Sequence, residues 1–203
     1  MRSLMAFLFA FTALWCQSGL SQEIQIGLSN DTVAISSSFD GTDLIVFGTI
    51  EGADAQRLIA RAYEVAVVLI GPLEPVVVRR KQRRFGVWVN GKSMRFENIP
   101  ASYSVATSKA LNEIADQKET SVLQIGLQNL QMAPLVEDAD SVDARTFRES
   151  LKRIKTEKAL FVEKIGGVEF ISPSLCKARV PLPASVPIGN HRARAFLFSD
   201  CKL

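Results

Sequence analysis

The sequence predicts a mainly β protein: an immunoglobulin-like antiparallel sandwich over residues 22–106, then a connecting segment (107–141), then a helix and a smaller β segment (142–203). Three observations carry this. Short apolar runs rich in β-branched residues recur at regular intervals from residue 24 onward. Gly, Pro, Asn and Asp punctuate them, as in antiparallel sandwiches. One long stretch, residues 142–157, has helical rather than strand periodicity.

In chain order, Ile24, Ile26 and Leu28 alternate with polar neighbours, as do Val33 and Ile35 beyond the turn at Ser29-Asn30-Asp31. Period-two alternation marks a half-buried strand. After Asp40-Gly41, the run Leu44-Ile45-Val46-Phe47 suits a strand covered on both faces. Residues 53–62 suit a helical turn or two, read as a connection. Residues 64–70 form a β-branched strand closed by Gly71-Pro72. Val76-Val77-Val78, then 85–89, then Met94-Arg95-Phe96 follow, and Asn90-Gly91 predicts a hairpin turn between the last two. Leu111 and Ile114 suit one helical turn. Leu123, Ile125 and Leu127 suit a short strand or helix, and Glu137, Asp138 and Asp140 a solvated loop.

Phe147, Leu151 and Ile154 fall at i, i+4 and i+7 and predict one apolar stripe on the helix. Ser141 or Asp143 caps its start, and Lys155 and Lys158 suit its negative end. Residues 160–162 and 168–170 flank Gly166-Gly167 as a hairpin. Cys176, Ala178 and Val180 alternate with Lys177 and Arg179, and a Pro-rich loop leads to a last strand at 193–198. The chain stops at Leu203, which raises the expectation of a truncated product, an incomplete second β domain and an open sheet edge at 193–198.

The N-terminus reads as an export signal. Arg2 precedes the uncharged run 4–15, long enough for a secretory core and too short for a membrane span of about 20 residues. Gly19 and Ser21 place small residues before a cut at Gln22, so residues 1–21 are expected to be a signal peptide. The product is then exported, to the periplasm or the periplasmic face of the inner membrane. The 24 basic and 21 acidic residues leave a net charge of +3, too even for a nucleic-acid binder. Of three cysteines, Cys176 and Cys201 follow the cut. If 175–180 and 191–198 formed a hairpin, the two would lie about 20 Å apart, beyond disulfide reach. A bridge needs those strands on facing sheets, or a folded-back tail; the alternative is a buried thiol at Cys176.

Several segments together resemble a known family. They are Gly27-Leu28-Ser29-Asn30-Asp31-Thr32-Val33-Ala34-Ile35, Phe39-Asp40-Gly41-Thr42-Asp43-Leu44, Gly71-Pro72, and Val76-Val77-Val78-Arg79-Arg80-Lys81. They continue with Gly86-Val87-Trp88-Val89-Asn90, Ile99-Pro100, Tyr103-Ser104-Val105-Ala106, Gly166-Gly167-Val168-Glu169-Phe170, and Val180-Pro181-Leu182-Pro183-Ala184. In combination they are similar to the putative transmembrane protein family of alphaproteobacteria, from about residue 24 to 200. The resemblance implies a signal sequence, an extracytoplasmic β-rich region and a C-terminal membrane helix, which this sequence ends before. It also implies accessory work beside sulfite-exporter-like permeases. It carries over no catalytic residue.

No constellation points to chemistry. His191 is the sole histidine, and zinc needs three or four ligands; it is expected to face solvent in a turn. Acyl transfer lacks a Gly-x-Ser-x-Gly elbow, and Cys176 alternates into the core, where a thiol stays protonated. Gly166-Gly167 lies between strands, so it is turn chemistry rather than a phosphate loop. The densest charge cluster is Arg79, Arg80, Lys81, Arg83 and Arg84. It suits anionic lipid head groups or an acidic partner, at about 1 kcal/mol per cation near a charged surface. The plainer reading, preferred from sequence, is a solvated tip whose charges block strand pairing. Trp88, expected to share a face with Arg84, Gly86 and Asn90, completes this candidate interaction surface.

The sequence therefore favours a non-enzymatic, cofactor-free interaction module accessory to a membrane transporter, with an inner-membrane permease or an anionic membrane surface as partner. The alternative is a small-ligand-binding or hydrolytic periplasmic protein built from dispersed carboxylates and arginines. A pocket gathering several acids around Arg79 or Arg194 would favour the alternative.

Overall fold

A computed structural model describes residues 23–36, 38–53, 55–60, 62–135 and 141–199. The expected signal peptide, Glu137, Asp138, Asp140 and Cys201 lie outside the described residues. The protein is mainly β, with several antiparallel sheets. Strands β1 (Glu23–Leu28), β2 (Gly41–Glu51) and β3 (Tyr63–Ile70) come first, with α1 (Ala55–Ile59) before β3. Next are β4 (Leu73–Arg84), β5 (Val87–Pro100) and β6 (Tyr103–Thr107). Helices α2 (Leu111–Ile114), α3 (Gln117–Leu123) and α4 (Val142–Glu157) follow. Then come β7 (Phe161–Ile165), β8 (Val168–Phe170), β9 (Leu175–Pro183) and β10 (Arg192–Ser199).

One sheet runs β1-β2-β9-β8, a second β10-β3-β6-β7, and β4 and β5 pair only with each other. All pairings are antiparallel except β6 with β7. Side chains of a strand point alternately to opposite faces, and β3 shows what this does. Val65, Val67 and Leu69 enter one core with Leu44, Val46, Ala178 and Val180 of the first sheet. Ala66 and Val68 enter another, with Phe96, Ile99, Phe147, Leu151 and Phe161. The second sheet is thus the middle of three layers, between the first sheet on one side and the helices with the hairpin root on the other. That is why β6 is buried at every position.

Strand pairing crosses both of the boundaries expected from sequence. β9 pairs with β2, β10 with β3 and β7 with β6, so the segment 142–203 contributes strands to both sheets, a central one (β9) to the first and both edges (β10 and β7) to the second, rather than a β unit of its own. β9 and β10 lie in different sheets instead of forming a hairpin. Val33 and Ile35 lie outside the named strands, although Val33 packs on the inter-sheet core. The Asn90-Gly91 turn is also absent. The chain reverses at Phe85-Gly86, because Arg84 pairs with Val87 and Arg83 with Trp88. Asn90 pairs with Lys81 inside β5, and Gly91 gives room to the Gln82 side chain, which a Cβ there would meet at 2.6 Å.

The long helix falls where its periodicity places it, and the Ser141 hydroxyl accepts from the Ala144 amide at its start. Its buried stripe is Ala144, Phe147, Leu151 and Lys155. Ile154, expected inside, is 38% exposed. Lys155 turns inward because it finds partners: its ammonium donates to Glu74 at 2.8 Å and to the Ala101 carbonyl at 3.0 Å, and lies over the Phe161 ring.

Candidate functional site

The β4–β5 hairpin has two halves with opposite surroundings. Its root buries Val78, Met94, Phe96 and Ile99 against the helix-side core. Beyond Val78 the strands leave the body of the protein, and from Arg79 to Asn90 no residue is buried. All six residues singled out in the sequence (Arg79, Arg80, Lys81, Arg83, Arg84 and Trp88) lie on this outer half and are exposed. Arg83 faces Trp88 across the ladder, and Arg84 faces Val87. Trp88 therefore shares its face with Arg83 and Lys81, not with Arg84, since opposed residues project to the same side.

The apex is apolar. Phe85 is fully exposed, Trp88 69% and Val87 62%. Phe85 and Gly86 both have positive φ, 49° and 83°, as a tight reversal between right-twisted strands requires. Glycine accepts that conformation freely; phenylalanine does not. Residues 85–89 were expected to be strand throughout, which puts Phe85 outside the turn. The available signal was Phe-Gly directly after the cationic run, overshadowed by the stronger Asn-Gly.

Behind the apex, the hairpin is tied to α4. Lys92 donates to Asp143 at 2.7 Å. That hydrogen bond, then the charge of Lys92 and then that of Arg80, hold the Asp143 carboxyl below its ordinary range. A groove of about 350 Å³ between hairpin and helix is lined by Arg79, Arg80, Lys81, Asp143, Phe147 and Ile154. Asp143 is the only carboxylate among its lining residues. A second depression of about 640 Å³, lined by Arg192 and Arg194, has no lining acid. Neither of these two cavities gathers several acids around Arg79 or Arg194.

His191 is half-buried rather than solvent-facing. Its Nε2 lies 3.1 Å from the Ser102 hydroxyl and its Nδ1 3.1 Å from the Gly189 carbonyl. Gly71 makes this approach possible, since a Cβ there would lie 2.4 Å from the Ser102 oxygen. Ser102 is only 3% exposed, so the pair joins the start of β10 to the β5–β6 turn from inside the fold. Cys176 is a free, buried thiol, and burial raises its pKa. Among the described residues, no group of three His, Cys, Asp or Glu is placed to hold a metal. No helix among them is long and apolar enough to cross a membrane.

The profile of a family described as Putative transmembrane protein (Alph_Pro_TM) matches residues 23–203. No curated protein and no solved structure matches the chain.

Proposed function

Because the chain belongs to that transmembrane protein family, we propose that it is a non-enzymatic interaction module working at a membrane. In this reading residues 1–21 direct export, and the module acts at the periplasmic face of the inner membrane as an accessory to a transporter, with an inner-membrane permease as partner. The strand order supports an immunoglobulin-like sandwich as its scaffold. The order β1-β2-β9-β8 facing β10-β3-β6 corresponds to A-B-E-D facing F-C-C′ of that architecture. Interaction modules built this way act through loops and edges held out from a rigid body.

One observation carries the proposal: the outer half of the β4–β5 hairpin places an exposed apolar apex on a stem of unburied cations. Exposed apolar patches rimmed by polar residues mark contact surfaces. The experiment is photo-crosslinking in intact membranes, with the reactive side chain at position 88. Repeated recovery of one permease, lost when the probe moves to exposed Val122 on α3, is the expected result. Adducts to no membrane component would count against the reading.

A further inference from the structure

We propose that the outer β4–β5 hairpin is a shallow membrane anchor that takes anionic phospholipid: guanidinium and ammonium groups on lipid phosphates, Phe85, Val87 and Trp88 in the acyl boundary. This deepens the reading above and rests on it for the membrane setting.

The order of residues along the hairpin fits a bilayer surface. Phe85 stands at the apex with Gly86; Arg84 and Val87 lie level with each other one residue back, Arg83 and Trp88 one residue further, and then come Lys81, Arg80 and Arg79. A strand rises about 3.3 Å per residue, so Phe85 stands about 3 Å beyond the level of Arg84 and Val87 and about 7 Å beyond that of Arg83 and Trp88. Interfacial segments bury their apolar face about 5–10 Å into the headgroup–acyl boundary. When the apex sits there, Arg83 and Arg84 reach the phosphate level, where long cationic side chains place their heads while their stems stay in apolar surroundings. Tryptophan prefers this same zone, its ring apolar and its N–H wet.

Charge complementarity selects an anionic surface. Between Pro75 and Phe96 the chain has seven cations, Arg79, Arg80, Lys81, Arg83, Arg84, Lys92 and Arg95, and no acidic residue. Lys92 and Arg95 are paired, with Asp143 and Glu97. The cations nearest the apex, Arg83 and Arg84, have no ion-pair partner among the described residues. A docking site for an acidic protein needs the cations but not a fully exposed Phe held at positive φ. A solvated stem that only blocks strand pairing needs neither Phe85 nor Trp88.

The test uses a chain beginning at Gln22, which contains every described strand and helix and keeps Trp88 as its sole tryptophan, the other being Trp15. Indole emission and co-sedimentation are read on phosphatidylcholine vesicles with and without phosphatidylglycerol. The expected result is a blue shift and pelleting with phosphatidylglycerol only. Arg83→Gln with Arg84→Gln should weaken binding by about tenfold or more. Phe85→Ser should weaken it without changing its salt dependence. No shift on anionic vesicles, equal binding to both vesicle types, or an undiminished double variant overturns the inference. An equal shift with soluble polyphosphate overturns it too, since that leaves the apolar apex without a role. Because the permease crosslink is read separately, lipid binding can fail while the proposed function stands.

Discussion

Phe85 occupies a turn position whose backbone favours Gly, Asn and Asp, and its ring touches nothing that would compensate. A side chain that is both conformationally disfavoured and fully exposed is unaccounted for by folding alone. Phe85→Asn, which restores Asn-Gly at a reversal of this kind, is expected to stabilise the protein by about 0.5–1 kcal/mol, while weakening vesicle binding. A urea midpoint that fell or stayed put would overturn the account of Phe85 as a strained, unpacked turn residue. Tyr103 shows the opposite situation. Its hydroxyl donates to the Gln124 carbonyl at 3.0 Å and accepts from the Gly126 amide at 2.9 Å. Burial pushes its pKa up, so it stays a neutral donor through the physiological range. These bonds pin the left-handed end of α3 (Gln124, φ 56°) to the middle sheet. Tyr103→Phe leaves both backbone groups without this partner and should cost about 1–3 kcal/mol. A loss below about half a kcal/mol in chemical denaturation would show that solvent reaches them.

Helix α4 fixes where the hairpin points, through Lys155 on Glu74 at the root and Asp143 on Lys92 further out. The folded-state pKa of Asp143 lies below its unfolded value. Its contribution is therefore fully present above the unfolded value, about 3.9, and is lost as pH falls through the folded value. Protection of the hairpin amides, taken relative to their intrinsic exchange rate at each pH, should accordingly fall below about pH 4, and Asp143→Asn should show that lower protection already at neutral pH. Both partners are exposed, so global stability should barely move. An Asp143→Asn protein with unchanged hairpin exchange would remove this tether from the account. At this scale the sequence was a good guide wherever one periodicity dominated: α4 and the alternation in β9 are local consequences of side-chain spacing. The run 44–47, expected to be covered on both faces, is covered on one, with Phe47 exposed, and Ile26 and Leu28 of β1 are exposed as well. It misled where two signals competed. Asn90-Gly91 is the stronger turn signal in isolation, yet strand pairing of Gln82 with Val89 and Arg84 with Val87 carries β5 straight through it. Lys155 was legible only as a cation suited to the negative end of the helix, because its partners, Glu74 and the Ala101 carbonyl, are 81 and 54 residues away. The cationic cluster itself was legible, being contiguous. Its apolar apex depended on where the turn fell.

The order of strands in the whole molecule was not legible, since pairing partners far apart in sequence leave no local trace. This ordering has a consequence for cooperativity. β2 is sandwiched between β1 and β9, and β3 between β10 and β6, so each central strand of the N-terminal half relies on a strand more than a hundred residues downstream. The inter-sheet core makes the same point, with Cys176, Ala178, Val180 and Leu182 of β9 packed around Leu44, Val46, Val65 and Val67. β10 is one edge of its sheet. Leu197, Ala195 and Ala193 are half-buried there, although their register partners Val65, Val67 and Leu69 are buried. Even this partly covered strand supplies Phe196 and Phe198 to the helix-side core. A fragment ending at residue 106, which sequence periodicity alone would have called a complete sandwich, keeps β1 through most of β6 but loses β7, β8, β9 and β10. It would strip both faces of β3 of part of their cover, β9 on one and α4 with Phe161 on the other, and leave β2 with β1 alone, and two-stranded pairs are marginal in water. The fragment is expected to show no cooperative thermal transition, whereas the chain from Gln22 should unfold in one, with Trp88-independent probes of the two cores melting together. A fragment 22–106 that melted cooperatively would mean that the N-terminal strands can close a core without β9 and β10.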